Sequence, residues 1–313
     1  MLKVVFFGTP KIAVNSLAYL FNSSEIEVVA VVTQEDKPSG RGHKLCSPPI
    51  KEKAQELGLK VFQPKSIRKE PEIMDELKKL NPDFFVTFAF GQILSQEVLD
   101  IPKYATINLH ASLLPKYRGA NPIQRCIYNG DKITGITTMI TVLELDAGDI
   151  CKTEKIEITD TMTDVELATI ISEKSPQLLE DTLIKLASGV LKPQKQDESQ
   201  VTFANKFAKQ DGLIDFSKTA QEIEYQIRAM YSWPNAFTYY KNKILKIMEA
   251  KAIPYEGCEK NGTVISVNKE GIEICAGKDK LLIKQVKPEG KGVMNAYAWA
   301  NGSGITTGDK LGV

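Results

Sequence analysis

Residues 107–124 read INLHASLLPKYRGANPIQ, and they set an amide, Asn108, two positions before an imidazole, His110. On an extended strand, residues two apart face the same side. An amide N–H can donate to a developing oxyanion. A neutral imidazole can take a proton, and an imidazolium can donate to the same oxyanion. The chain has two histidines in 313 residues, and one of them stands here, where a strand opens into a loop. Downstream, LELDAGD brings Asp146 and Asp149 around an Ala-Gly turn. A carboxylate bonded to a histidine fixes its tautomer and holds it charged. Asn108, His110 and one of the two carboxylates, Asp146 or Asp149, are therefore candidate groups for group transfer in which the acceptor attacks the donor directly. Covalent catalysis is not indicated. Ser112 lacks the G-x-S-x-G setting of a nucleophile elbow, and no cysteine lies in an electropositive motif.

Such groups need a rigid frame. LKVVFFG at residues 2–8 is an apolar run ending in glycine, as buried parallel strands are. A helical face follows at Ile12, Val14, Leu17, Leu20 and Phe21, then the strand EIEVVAVVT. Residues 49–57 and a stretch from Pro71 to Leu80 read as helices, with LKVF, PDFFVTFAFG and YATINLH as strands. This alternation predicts βαβ units and a doubly wound parallel sheet. Ligands bind such sheets beyond the carboxyl ends of the strands. Two ends are of interest, FFGTP and the pair TFAFG with INLH. The first is not a G-x-G-x-x-G fingerprint, which disfavours a nicotinamide cofactor.

GITTMITV and DICKTEKIEI alternate and suit an antiparallel pair, and residues 163–188 form a long helix stopped by Gly189. LKPQKQDESQ is polar and aperiodic, which predicts a linker over 190–206. Beyond it, a helix with Ser217 as its N-cap precedes short strands separated by Gly- and Asn-rich turns. A small barrel is expected there, an oligonucleotide-binding (OB) fold being one option. The expected domains are 1–189 and 207–313.

Hydrophobic residues are 42% and charged residues 25% of the chain, an ordinary globular composition, and the net charge is +1. From Asn205 onward there are 16 Lys and Arg against 12 Asp and Glu, a modest basic excess compatible with nucleic-acid contact. Five scattered cysteines and no C-x-x-C argue against a disulfide framework and a structural zinc. The N-terminus enters a strand directly, with no signal peptide pattern and no membrane-length apolar run anywhere. A cytoplasmic protein is expected.

The combination N-x-H-x-SLLP-x-x-RG-x-x-PIQ followed by LDAGD, with FFGTP, TQEDKPSGRGHKL, VTFANKFAKQDGLIDF and IRAMYSWPNAF, resembles the methionyl-tRNA formyltransferase family of the folate-dependent formyltransferase superfamily. The resemblance implies a Rossmann-like α/β formyltransferase domain with a C-terminal all-β OB-like barrel domain. It implies transfer of a formyl group from 10-formyltetrahydrofolate, with no metal, to the α-amino group of methionyl initiator tRNA. It makes Asn108, His110 and Asp146 the catalytic trio. Ser112, Leu113, Leu114 and Pro115 match the folate-contacting segment, and Phe90 and Gly91 border the same pocket. Arg41 and Lys44 lie in an insertion, residues 34–47, similar to one that reaches the tRNA acceptor stem; His43 beside them reads as solvated. Lys206 and Lys209 are candidates for phosphate contact, as are Lys241, Lys243 and Lys246. A monomer is expected. Asn121, Glu144, Ala147 and, in YSWP at 231–234, Tyr231 and Ser232 depart from the family pattern. Glu144 bears on acceptor preference, and a sugar-nucleotide amine is the alternative acceptor.

Overall fold

The runs richest in valine and phenylalanine are buried on both faces, which places them in the middle of a sheet. In β1 (Leu2–Gly8), Val4, Val5, Phe6 and Phe7 are fully buried. The computed structural model describes residues 1–39, 44–257 and 259–312. Two units are present. One comprises Met1–Gly119, Ile133–Glu157 and Ala168–Ala204, and the other Ala120–Lys132, Ile158–Leu167 and Asn205–Val313.

In the first unit the chain continues through α1 (Val14–Phe21), β2 (Ile26–Val32), the short pair β3 (Lys37–Ser39) and β4 (Lys44–Cys46), and α2 (Pro49–Glu56). Then come β5 (Val61–Phe62), α3 (Pro71–Lys79), β6 (Phe84–Phe88), α4 (Gln96–Leu99), β7 (Ala105–His110) and β8 (Arg118–Gly119). Helix α5 (Pro122–Tyr128) belongs to the second unit, and β9 (Ile133–Ile140) and β10 (Ile150–Glu157) return to the first. The sheet order is β10-β9-β7-β6-β1-β2-β5. Strands β5, β2, β1, β6 and β7 are parallel, and β9 and β10 are antiparallel additions, as their alternating pattern indicated. The chain leaves β1 toward β2 and β5, then resumes at β6 on the other side. That reversal makes the carboxyl ends of β1 and β6 the switch point of the sheet. One face packs Val5, Phe7, Val32 and Phe85 against Met74 and Leu77 of α3.

Helix α6 (Asp164–Ala187) ends where glycine was expected to stop it. Gly189 has φ +73° and its N–H bonds the carbonyl of Leu186 at 3.0 Å. Residues 190–204, read from sequence as part of a linker, lie within the first unit. Gln194 and Ile150 exchange backbone bonds at 2.8 Å, and β11 (Phe203–Ala204) pairs in parallel with β8.

The second unit carries an antiparallel sheet. It contains β12 (Ala236–Tyr240), β13 (Lys243–Ile253), β14 (Val264–Asn268), β15 (Gly271–Cys275) and β16 (Lys280–Pro288) in the order β12-β13-β16-β15-β14. A short β17 (Met294–Asn295) adds to β16. A small barrel was expected here, and no closed barrel is found: among the described residues no ladder joins β12 to β14. The apolar face of the sheet is covered instead by α7 (Ala220–Ala229) and α8 (Ala296–Ser303), through Ile223, Ile227, Ala296 and Ala300. The N-cap of α7 is Thr219, not Ser217. Thr219 and Glu222 form a capping box, with bonds of 2.9 and 3.2 Å between each side chain and the other's N–H. The Ser217 N–H is held by the Asp215 carboxylate at 2.9 Å. Among the described residues no helix is long and apolar enough to cross a membrane.

Candidate active site

Strand β7 ends at His110 and lies beside β6, with Asn108 opposite Thr87. The Thr87 hydroxyl donates to Asn108 Oδ1 at 2.8 Å. That bond occupies the carbonyl end of the amide and leaves Nδ2, with its two hydrogens, as the group available for another partner. Asn108 is half-buried at the carboxyl edge of the sheet.

His110 is 5% exposed. Its Nε2 lies 2.8 Å from the Tyr117 carbonyl. A carbonyl only accepts, so Nε2 carries a proton. On the other side, Nδ1 lies 3.6 Å from Oδ2 of Asp146. The same Oδ2 accepts a 2.8 Å bond from the Gly119 N–H, so Asp146 is anchored to the segment whose preceding carbonyl anchors His110.

Asp146 sits in the loop between β9 and β10 at φ +52°, a left-handed conformation uncommon for a non-glycine residue. Its position depends on Gly148. A Cβ there would come within 1.7 Å of the Ile140 carbonyl oxygen, so only glycine allows the loop to lie this close to β9. Asp149, the second carboxylate of the motif, faces a different task. It adds to the burial that pushes the Cys151 thiol up to about 12, which keeps that sulfur neutral.

The loop after His110 is held from below by Thr137 of β9, which is fully buried. Its hydroxyl donates to the Ser112 carbonyl at 2.7 Å and accepts the Leu114 N–H at 3.2 Å. The Ser112 hydroxyl donates to the Lys116 carbonyl at 2.6 Å, so this side chain closes the loop on itself. Leu114 is buried, while Leu113 and Pro115 are half-buried. The Phe90 ring packs edge-on against Phe7 at 5.3 Å, inside the core, and its carbonyl accepts from Thr9 at 2.9 Å and Gln34 at 3.0 Å. Gly91 follows at φ +82° and is exposed. Residues 89–91 and 111–115 thus leave adjacent parallel strands at one edge of the sheet.

Of the residues assigned to nucleic acid, Arg41, with His43, lies outside the described residues, and Lys44 is described by its backbone in β4. Lys206 and Lys209 are exposed in the second unit. Among the departures, Asn121 Nδ2 donates to Gln124 Oε1 at 2.6 Å. Ser232 bonds the carboxylate of Asp164 through its hydroxyl and, at 3.2 Å, its N–H. Glu144 is exposed, 3.9 Å from Arg118 Nη1.

Sequence reasoning passed over three residues at this site. Thr87 aims Asn108; Arg118 and Gln196 stand behind Asp146. Arg118 is 2% exposed, a level that a guanidinium reaches only when fully partnered, but no local pattern announced those partners.

The Formyl transferase family model matches residues 2–183, and the model of the formyl transferase C-terminal domain matches residues 206–304. A methionyl-tRNA formyltransferase of Clostridium novyi is 43% identical over 304 residues, covering 97% of this chain and 98% of its own. That of Clostridium botulinum is 45% identical over 291 residues, with 93% of each chain covered. An N-formyltransferase from Helicobacter canadensis, solved with folinic acid and dTDP-3-aminofucose, superposes with a TM-score of 0.68 at 20% identity, over 92% of this chain and all of that one. That likeness is one of fold. Matched by both domain models and nearly end to end by relatives above 40% identity, the chain belongs to the methionyl-tRNA formyltransferase family.

Proposed function

We propose that this enzyme transfers the formyl group of 10-formyltetrahydrofolate to the α-amino group of methionyl initiator tRNA. The observation that carries the reading is the family match combined with the meeting of an amide, an imidazole and a carboxylate at the carboxyl end of β7. The neutral amine attacks the formyl carbon, the carbonyl oxygen becomes an oxyanion, and the carbon–N10 bond then breaks. Asn108 Nδ2 donates to the oxyanion, since Thr87 holds its Oδ1. His110, oriented between the Tyr117 carbonyl and Asp146, assists Asn108 in stabilising that oxyanion. Asp146 accepts the proton that the attacking nitrogen must lose, for return to N10 as the folate departs.

The residues fit a flat heterocycle. Backbone groups at 89–91 and 111–115, with Leu113 and Leu114, offer edge hydrogen bonds and apolar faces. Phe90, Gly91, Ser112 and Pro115 act there through backbone or shape, because the Phe90 ring and the Ser112 hydroxyl are already engaged. Arg41 and Lys44 read the acceptor stem, and Lys206 and Lys209 contact phosphates. Functionally the division is a catalytic domain over 1–189, a connector over 190–206 and a tRNA-binding domain over 207–313, its antiparallel sheet read as a partly open OB-like barrel. The enzyme works as a cytoplasmic monomer.

The test is formyl transfer from 10-formyltetrahydrofolate to methionyl initiator tRNA, followed by mass spectrometry of the released aminoacyl group. Formylmethionine is expected. Transfer to an amino-sugar nucleotide with none to the tRNA would overturn the reading. Arg41→Ala should weaken tRNA use far more than folate use; an equal loss of both counts against the acceptor-stem role.

A further inference from the structure

Gln196 lies in the extended stretch after α6 and is 9% exposed. Every polar atom of its side chain is used. Nε2 donates to the Asp146 carbonyl at 2.7 Å and to the Gly148 carbonyl at 2.8 Å, so one amide grips both ends of the turn that presents the Asp146 carboxylate. Oε1 accepts from Arg118 Nε at 3.1 Å and Nη2 at 2.9 Å. The guanidinium also bonds Glu198, at 2.7 Å from Nη2 and 3.3 Å from Nη1.

Arg118 lies between the two backbone groups that matter. Tyr117 before it supplies the carbonyl on His110 Nε2, and Gly119 after it supplies the N–H on Asp146 Oδ2. We infer that Gln196 is a positioning residue for the transfer reaction, holding the Asp146 turn against the 117–119 segment and so fixing the carboxylate relative to the imidazole. The inference rests on the formyl-transfer reading for its kinetic consequence and not for its structural one. The strained φ of Asp146 is the reason a clamp is needed. A non-glycine residue in the left-handed region stays there only when its surroundings over-determine it. The Gly119 N–H bond constrains the side chain, and Gln196 constrains the carbonyls on either side of Ala147.

Gln196→Glu separates the two halves of the clamp. The carboxylate still accepts from Arg118, so the buried guanidinium keeps its partners, but it has no N–H for the two carbonyls. In the free protein, the Gly119 amide should shift in ¹H–¹⁵N spectra and exchange faster, while the amides of β1 and β6 stay unchanged. With 10-formyltetrahydrofolate and methionyl initiator tRNA, kcat should fall about tenfold to a hundredfold, as for loss of an orienting partner, with KM for both substrates within about threefold of wild type. Gln196→Leu should reproduce the loss, and Gln196→Asn, which keeps a donor on a shorter stem, should fall between. A Gly119 amide indistinguishable from wild type, or a kcat for Gln196→Glu within about twofold of it, overturns the inference. Should the wild-type protein fail to formylate methionyl-tRNA, the proposed function falls, and the Gly119 amide still decides the clamp.

Discussion

His110 Nδ1 stands 3.6 Å from Asp146 Oδ2, inside ion-pair range and beyond a hydrogen bond. Both residues are gripped from the same short segment, at the Tyr117 carbonyl and the Gly119 N–H, so they belong to one unit of chemistry. His110→Ala should lower kcat by about 10²–10⁴ and leave the protein folded. Asp146→Asn should be similarly costly alone but add less than about threefold in the His110→Ala background. The double-mutant cycle in kcat decides; additive losses would mean that the two side chains act independently.

Gly148→Ala tests the loop rather than the carboxylate. A methyl group 1.7 Å from the Ile140 carbonyl oxygen cannot be absorbed by a side-chain rotation, because the obstacle is backbone. Displacing it should cost about 1–3 kcal/mol of stability, read by urea unfolding, and should carry Asp146 away from His110. Activity should fall at temperatures where the variant is still folded.

Cys151 should be inert. Burial and the neighbouring Asp149 carboxylate push its thiol up to about 12, and the thiolate is the nucleophile. Iodoacetamide at neutral pH should leave Cys151 unlabelled in the native protein and label it after unfolding, as mass spectrometry of the peptides would report.

Asp164 should make the second unit pH-dependent. Burial raises its pKa, even though Ser232 and Gln124 donate to the carboxylate and oppose the shift. A folded-state pKa above the unfolded one contributes stability at low pH that is lost as pH rises through the folded value. Relative to wild type, Asp164→Asn should therefore become progressively more favourable from about pH 4 upward. Unfolding midpoints measured across that range check the sign; a flat difference would mean that Asp164 ionises in the native state as readily as in the unfolded chain.

The strands around the site were legible because they are continuous apolar runs, and Asn108 and His110 because their spacing is that of one strand face. The Ala-Gly turn marked Asp146 and Asp149 alike, and only the family resemblance singled out Asp146. Gln196 was not: its partners lie 48 to 78 residues away in sequence, and a polar, aperiodic stretch such as LKPQKQDESQ looks the same whether it hangs free or packs. The cap of α7 carries a readable signal, a threonine with glutamate three residues later, which Ser217 lacks. The closed barrel failed for a different reason. Strand spacing predicts how many strands pair in order, but whether the sheet curls shut depends on what covers its apolar face, here α7 and α8.

The pairing of Phe203–Ala204 with Arg118–Gly119 also bears on the order in which the protein is made. A nascent chain that has emerged only to residue 183, where the match to the first family model stops, already contains Asn108, His110 and Asp146. It lacks the edge strand and the amide that hold the acidic turn in place. A fragment cut at that family boundary would inherit the reactive side chains without the amide that grips the turn presenting one of them.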